Sequence, residues 1–238
     1  MKKLGLVGGI SWVSTIDYYR FINEEVNARL GDLNYAECII YSVNFGDFVR
    51  NNVSNNWDAT AKLMTDACLS LERSGAGAIV LCANTAHAVV DKVIQQIKVP
   101  IIDITWATAE EIKKQGLKRV GLLGTKFTME MDFYKRKMRE NSVDVFVPHD
   151  QSVRDRIQQT IKDELGRGIV KSETKQFYLQ VIETMISEGA QGIILGCTEL
   201  PMILSQQDIA VPVFDTTKIH ALAAVDFALS ETSRIENS

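Results

Sequence analysis

The chain has 238 residues and a formal net charge of −4, from 26 Lys and Arg against 30 Asp and Glu. Its hydrophobic fraction of 46% and charged fraction of 24% are ordinary for a globular protein and exclude a disordered, collagenous or coiled-coil chain. No apolar run approaches the ~18 residues of a membrane span, and an acidic balance without a basic run argues against nucleic acid as a partner. The N-terminal apolar run is too short for a signal peptide, so we expect a cytoplasmic protein of one large or two small domains.

Short apolar runs alternate with longer amphipathic ones along the whole chain. Several of the short runs are continuous and β-branched, which is typical of a parallel sheet covered on both faces. The predicted strands are 3–7, 37–43, 78–82, 100–104, 119–123, 143–147, 192–195 and 212–214. The predicted helices are 14–30, 58–75, 86–97, 106–114, 129–140, 154–165, 172–187 and 219–229. This alternation predicts an α/β fold.

Three segments of the first half recur in the second half in the same order. Segments 4–9, 75–84 and 99–105 resemble segments that begin 116, 114 and 112 residues later. Buried strands of parallel sheets resemble one another, so each match alone is weak evidence. Three ordered matches at nearly one spacing indicate two copies of one α/β unit.

Four loops follow the strands that this repeat aligns, two in each half. They are 8–15, 82–87, 124–128 and 196–200. In parallel α/β units, ligands bind where the carboxyl ends of strands run into helices, and N–H groups at a helix start attract anions such as carboxylates. The loops contain neither a G-x-G-x-x-G motif nor a P-loop lysine, so we predict an anionic ligand other than a nucleotide.

The four cysteines are Cys38, Cys68, Cys82 and Cys197. They form no C-x-x-C pair and the three histidines are scattered, so the spacing predicts no metal site and free thiols in a cytoplasmic chain. Cys197 follows a predicted strand near a helix start, where the pKa of a thiol is lowered and thiolate is accessible near neutrality. The alternative for Cys197 is a buried thiol that only packs, which is the role expected of Cys38 and Cys68.

The loops as a set resemble those of the aspartate/glutamate racemase family, and most closely its subgroup specific for L-aspartate and L-glutamate. The similarity lies in segments 8–15, 18–19, 84–87, 124–134, 196–199 and 214–216. It implies two pseudo-symmetric three-layer α/β/α domains with mainly parallel sheets and an active site in the cleft between them. The last helix is expected to pack back on the first domain, which gives 1–103 plus 212–238 as one domain and 104–211 as the other. The resemblance also implies a homodimer, an amino-acid or dicarboxylate substrate, and neither pyridoxal phosphate nor a metal.

In this family two side chains, one from each half, flank the α-carbon of the substrate. One removes the α-proton and the other returns a proton to the opposite face. The resemblance assigns one of these roles to Cys197, but both the family motif and the internal repeat put Ala83 at the other position. Alanine carries no proton. Cys82 comes one residue early, and strand alternation turns it to the opposite side unless a bend at the strand end brings it near.

The remaining site residues are expected from the resemblance and from their position in loops. Three cations, Arg50, Lys126 and Arg167, are candidates to bind a second carboxylate, and a solvated surface charge is the alternative for Arg50 and Arg167. We expect His87 to orient its loop by hydrogen bonding rather than to act as a base. Glu199 is expected to orient the substrate or to tune Cys197. The predicted substrate-binding residues are Ile10, Ser11, Asn52, Ala83, Asn84, Thr85, Thr198 and Glu199.

These observations lead to one main functional hypothesis and two alternatives. The main hypothesis is a cofactor-independent racemase that interconverts L- and D-aspartate and/or glutamate, with Cys197 as the main acid/base and the second face served by Cys82, a water or nothing. Because of Ala83, a one-base lyase or isomerase acting on a dicarboxylic acid, as in the arylmalonate decarboxylases, is an alternative. The other alternative is a catalytically weak dicarboxylate-binding protein.

Overall fold

The continuous apolar runs form the strands of two sheets in the computed structural model, which describes residues 1–230. The strands are β1 (Leu4–Gly8), β2 (Cys38–Ser42), β3 (Ala78–Leu81), β4 (Ile101–Ile102), β5 (Arg119–Gly124), β6 (Asp144–Phe146), β7 (Ile193–Gly196) and β8 (Val213–Asp215). The order is β2-β1-β3-β4 in the first sheet and β6-β5-β7-β8 in the second. Every pair is parallel. The predicted α/β class is therefore confirmed, with strands at all eight predicted places.

Helices and short 3₁₀ turns connect these strands. The helices are α1 (Trp12–Leu30), α2 (Phe45–Val53), α3 (Trp57–Arg73), α4 (Val90–Val93), α5 (Ile104–Lys114), α6 (Lys126–Glu130), α7 (Asp132–Glu140), α8 (Gln151–Asp163), α9 (Ser172–Ser187) and α10 (Thr216–Leu229). The 3₁₀ turns are Thr85–Val89, Leu165–Arg167, Leu200–Met202 and Gln206–Asp208. Among these helices of residues 1–230, none is both long and apolar enough to cross a membrane.

Three helices differ from the sequence-based prediction. Helix α2 was not predicted, because its nine residues include Gly46 and two asparagines, which are poor helix formers. The helix predicted over 86–97 starts as the 3₁₀ turn Thr85–Val89 and ends after four residues of α4. The helix predicted over 129–140 is interrupted at Met131, whose backbone is extended with φ −74° and ψ 147°.

The strand pairing in the two sheets follows the internal repeat that the sequence indicated. In the first sheet Leu81 pairs with Val7, and in the second sheet Leu195 pairs with Leu123. The pairs are counterparts in the two halves, because the central strands β1 and β5 lie next to β3 and β7 in the same order. The two halves therefore place equivalent residues at equivalent positions along their sheets.

The chain crosses between the halves twice, and the second crossing falls later than predicted. β8 pairs with β7, so residues 213–215 belong to the second sheet, whereas the predicted division began the return to the first domain at 212. The physical reason is the repeat, which makes β8 the counterpart of the edge strand β4. α10 then returns to the first half, where Ala221 and Val225 pack in one buried cluster with Tyr18. The other predicted domain boundaries stay predictions, and 231–238 lie outside the described residues.

Both crossings lead into a helix that begins with an aspartate cap. Asp103 accepts hydrogen bonds from the first backbone N–H groups of α5, and Asp215 does the same for α10. An aspartate at this N-cap position stabilises the start of a helix. Each crossing therefore turns sharply from a strand of one half into a helix, and the loops after the central strands of both halves come together.

Candidate functional site

Loops after the central strands of the two halves touch each other. The Thr85 hydroxyl lies 3.1 Å from the Thr125 hydroxyl and 3.4 Å from the Thr128 hydroxyl. Ser11 donates a hydrogen bond to the Glu199 carboxylate over 3.4 Å. The loops after β1 and β3 thus face the loops after β5 and β7, as the repeat predicts.

Cys197 is the centre of a small polar cluster in this junction. Its side chain is 7% exposed, and its Sγ donates to Glu199 Oε2 over 2.9 Å. The same oxygen accepts a hydrogen bond from the Thr198 hydroxyl over 2.8 Å, while Ser11 binds the other oxygen. We call these four residues the thiol cluster; it includes residues from both halves and holds the thiol in one orientation.

The electrostatic surroundings of Cys197 differ from the sequence-based expectation. Burial raises the pKa of the Cys197 thiol well above its ordinary value, and both the charge of Glu199 and its hydrogen bond raise it further. Backbone N–H groups of Thr198 and Glu199 oppose this effect without outweighing it. The structure therefore contradicts the expectation of a lowered pKa for the Cys197 thiol. The turn that follows, Leu200–Met202, has only three residues, so it offers little of a helix dipole.

Ala83 takes the place of Cys197 in the first half. It comes two residues after Leu81, just as Cys197 comes two residues after Leu195, the register counterpart of Leu81. Ala83 is 8% exposed and lies in a buried apolar cluster together with Ile10. The first-half position equivalent to that of the Cys197 thiol therefore carries a methyl group.

Cys82 lies in the core and not in the junction. It is fully buried in the cluster that contains Tyr18 and Val80, on the other face of the first sheet from Ala83. Burial raises the pKa of its thiol strongly, and its Sγ lies 3.8 Å from the Val80 carbonyl oxygen. This placement contradicts a role for Cys82 as second acid/base. The backbone bends at Cys82 and Ala83, after β3 ends at Leu81, but this bend leaves the thiol in the core cluster. Cys68 is buried in the core of the first half, and Cys38 packs against that core, as expected.

Asn84 joins the first-half loop to the start of α10. Its Nδ2 donates to the Thr216 hydroxyl over 2.9 Å, and that hydroxyl donates to the Leu195 carbonyl over 2.8 Å. The other amide atom, Asn84 Oδ1, is buried and has no hydrogen-bond partner among residues 1–230. Leaving such an acceptor unsatisfied costs about 1–3 kcal/mol, and an ammonium group of a ligand is a suitable donor for it.

Three threonines of the junction were not predicted as site residues. Thr216 follows the second crossing, while Thr125 and Thr128 hydrogen-bond to each other over 3.0 Å and to Thr85. All three lie in segments that carry the family resemblance. The family resemblance therefore pointed to these segments. The order of residues within them did not reveal which threonine hydroxyl faces the other half.

Two predicted substrate-binding residues are buried beside the junction. α2 carries Asn52, which is 3% exposed and accepts a hydrogen bond from the Thr60 hydroxyl over 2.6 Å. Ile10 is 5% exposed and packs in the same cluster as Ala83. Within the described part of the chain, no hydrogen bond joins Asn52 to the thiol cluster, so its contact with a substrate stays a prediction.

The three predicted cations are exposed or already paired. Arg50 forms an ion pair with Asp47 one turn earlier on α2, and Lys126 pairs with Asp155 over 2.6 Å. Arg167 is exposed in the turn Leu165–Arg167. No ion pair or hydrogen bond found in residues 1–230 links any of them to the thiol cluster. Their role in binding a second carboxylate therefore also stays a prediction.

Side chains that bind metals are not clustered in this structure. Over residues 1–230, no group of three or more His, Cys, Asp and Glu side chains is arranged to hold a metal ion.

The whole chain is similar to known racemases. The family described as Asp/Glu/Hydantoin racemase matches residues 7–224. A Yersinia pestis structure provisionally described as an Asp/Glu racemase is 44% identical, with a TM-score of 0.91 over 97% of this chain and 100% of that one. PH1733 of Pyrococcus horikoshii OT3, described as an aspartate racemase homologue, is 38% identical, with a TM-score of 0.85 over 97% and 100% of the chains. The broad specificity amino-acid racemase RacX of Bacillus subtilis (strain 168) is 26% identical over 236 residues, which cover 97% of this chain and 100% of that one. The similarity therefore extends over both halves and all four loops.

Proposed function

Because the chain belongs to the Asp/Glu/hydantoin racemase family, we propose that it is an isomerase that removes and returns the α-proton of an amino acid, with aspartate and glutamate as the first substrates to test. The thiol cluster is the observation that carries this proposal. Cys197 is a buried thiol whose proton is already hydrogen-bonded to a carboxylate over 2.9 Å. A small acid/base in a site with little water is what α-proton transfer needs.

The reaction begins with formation of a thiolate. The Cys197 proton passes to Glu199 Oε2, and the thiolate then takes the proton from the α-carbon of the substrate. The electron pair left on that carbon spreads into the α-carboxylate, where hydrogen-bond donors stabilise the charge. Thr85 and Thr198 are the candidate donors, since one hydroxyl lies in each of the two loops. The Cys197 thiol then returns a proton to the carbon, and Glu199 gives its proton back to the thiolate, which completes a cycle of exchange. Inversion needs a proton delivered to the other face instead.

Asn84 is the candidate partner for the ammonium group of the substrate. Its buried Oδ1 has no partner in the described residues, and an ammonium group donates hydrogen bonds only. A second carboxylate would take Arg50, Lys126 or Arg167, and the first two must then leave Asp47 and Asp155. Action without a cofactor, a cytoplasmic location and a homodimer remain predictions from the sequence.

Ala83 favours a second candidate, a one-base enzyme. Ala83 is the register counterpart of Cys197 in the first half, and a methyl group cannot return a proton to the second face of the substrate. In a one-base enzyme the α-proton exchanges with solvent faster than the configuration inverts. The same arrangement would serve a lyase that protonates one face after a dicarboxylic acid loses carbon dioxide.

The test is exchange of the α-proton in D₂O with L-aspartate and L-glutamate, followed by NMR. We expect Cys197→Ser to lower the exchange rate by at least ~10²-fold, since positioned acid/base groups contribute about that much. Cys68→Ala is the matched control, because Cys68 is a buried thiol of the first-half core and its loss leaves the site intact. Full exchange activity in Cys197→Ser would exclude Cys197 as the acid/base. If the wild type exchanges neither substrate but is thermally stabilised by one, the chain is a binding protein.

A further inference from the structure

Two buried histidines hydrogen-bond to the backbone of the first crossing between the halves, the segment 102–104. His220 of α10 is fully buried, and its Nε2 lies 2.7 Å from the Ile102 carbonyl oxygen. His87, in the 3₁₀ turn after β3, is 1% exposed, and its Nε2 accepts a hydrogen bond from the Ile104 N–H over 3.3 Å. The two rings meet edge to face with centroids 5.4 Å apart.

The remaining ring nitrogens also have partners. His87 Nδ1 lies 3.0 Å from the Ala83 carbonyl oxygen, and His220 Nδ1 lies 2.7 Å from the Tyr18 hydroxyl. All four ring nitrogens are therefore engaged, and the two histidines connect three places: the site loop, the crossing and α1.

The partners determine which nitrogen of each ring carries the proton. The Ala83 carbonyl can only accept and the Ile104 N–H can only donate, so His87 is neutral with its proton on Nδ1. In His220 the proton is on the other ring nitrogen. The Ile102 carbonyl requires a proton on Nε2, and the bare Nδ1 accepts the hydrogen bond from Tyr18.

A second proton on His87 does not fit this arrangement, because it would set an N–H group against the Ile104 N–H. Burial lowers the pKa of His87, and Lys137 lowers it further, whereas Asp103 raises it. Burial and the neighbouring His87 lower the pKa of His220 to about 3. Burial therefore favours the neutral form of both rings.

We propose that His87 is a positioning residue that sets the site loop 83–85 against the crossing into the second half. One rigid ring spans the Ala83 carbonyl, in the loop that faces Cys197, and the Ile104 N–H, at the first turn of α5. His220 binds the same crossing through its hydrogen bond to the Ile102 carbonyl oxygen. His87 does not touch the thiol cluster through any hydrogen bond of the described residues, so it acts through the loop. Only the kinetic part of its test rests on the proposed function.

The first experiment measures the side-chain ¹⁵N spectrum of the wild-type protein. We expect His87 to carry its proton on Nδ1 and His220 on Nε2, and neither ring to titrate between about pH 5 and 8. The exposed His149, which lies 3.8 Å from Glu188, is the internal reference for assigning the ring signals. A proton on Nε2 of His87, or titration of His87 between about pH 5 and 8, overturns the proposal. This result does not depend on any activity.

The second experiment separates the two hydrogen bonds of His87. In His87→Asn the amide nitrogen lies near the place of Nδ1 and can still donate to Ala83, but the side chain is too short for Ile104. In His87→Gln the longer amide can accept from Ile104 but no longer donates to Ala83. His149→Gln is the surface control. The readouts are the backbone amide shifts of residues 83–85 and the kcat and KM of α-proton exchange.

We expect His87→Asn to keep the amide shifts of the loop and to retain kcat within about threefold, since the loop anchor is preserved. We expect His87→Gln to move those shifts and to lower kcat on the order of tenfold or more, with a smaller change in KM. Equal loss in both variants, with equal shifts, would mean that His87 only fills space. If the wild type shows no exchange, the proposed function fails, while the tautomers and loop shifts still decide the role of His87.

Discussion

Three effects make the Cys197 thiol harder to deprotonate. Burial, the negative charge of Glu199 and the hydrogen bond to its carboxylate all raise the pKa of the thiol. Glu199 therefore has two opposing effects on the reaction: it makes the thiolate harder to form, and it is the nearest acceptor for the proton that must leave. A ligand with an ammonium group brings positive charge into the site and favours the thiolate.

Replacing Glu199 tests the first of these effects. In Glu199→Gln the charge is removed, so the pKa of the Cys197 thiol should fall and its alkylation by iodoacetamide at neutral pH should become faster. The measurement is the pH profile of alkylation in a background in which the other three cysteines, Cys38, Cys68 and Cys82, have been changed to alanine. Glu183→Gln, which neutralises an exposed acid of α9, is the control and should leave the profile unchanged. A profile that stays in place or moves to higher pH in Glu199→Gln would show that Glu199 does not control the thiol.

At the residue scale the sequence predicted which residues of the two halves correspond better than it predicted their electrostatics. The repeat and the resemblance both pointed to Cys197 and to Ala83 as its counterpart. The direction of the pKa shift at Cys197 could not be predicted, because it depends on burial and on which way Glu199 turns. The same holds for Cys82, whose distance from the junction depends on whether the end of β3 bends.

The loop after β1 depends on a close approach of two backbones. Gly9 has φ +83°, and a Cβ added there would lie 2.2 Å from the Val43 carbonyl oxygen. Its N–H donates to the Thr15 hydroxyl over 2.9 Å, which ties the loop to the first turn of α1. This geometry presents Ser11 to Glu199, so the fold of one loop places a polar group at the contact between the halves.

Gly9→Ala should therefore be costly. We expect a loss of about 1–3 kcal/mol in the free energy of unfolding from the backbone strain alone, and more from the clash. Gly31→Ala separates the two causes, because Gly31 has φ +69° but nothing within 4 Å of the added Cβ. Gly77→Ala should cost least, since it has ordinary φ and its nearest contact is the Lys3 carbonyl oxygen at 3.5 Å. Urea unfolding measures all three, and a Gly9 variant as stable as the Gly77 variant would contradict this account.

At the element scale the strands were easier to predict than the helices. Continuous apolar runs between turns left few alternatives for the eight strands. α2 was missed because its sequence, with Gly46 and two asparagines, gives little helix preference of its own. Its N-cap Asn44, whose side chain accepts a hydrogen bond from the Gly46 N–H, and its packing against α3 stabilise it instead. Since α2 carries Asn52 and Arg50, the sequence could not say how these residues approach the site.

At the scale of the whole molecule, two copies of one unit face each other but are no longer equivalent. The registers of the two sheets match, and both crossings begin a helix with an aspartate cap. The repeat was visible in the sequence because buried strands and caps tolerate few residue types. What it could not reveal is the contact between the halves, which depends on side chains such as Thr85 and Thr125 that meet only after folding. The backbones of the two halves correspond, but Cys197 in one half stands where Ala83 stands in the other.

The central claim is that Cys197 transfers the α-proton and that the Ala83 side has no group to match it. The most direct test follows L-aspartate and L-glutamate in D₂O, and compares deuterium in the recovered L-isomer with the appearance of the D-isomer. We expect the L-isomer to become labelled faster than the D-isomer forms, and Ala83→Cys to raise formation of the D-isomer relative to exchange. A wild-type protein that forms fully labelled D-isomer while the recovered L-isomer stays unlabelled would contradict the claim, because a proton donor must then act from the second face.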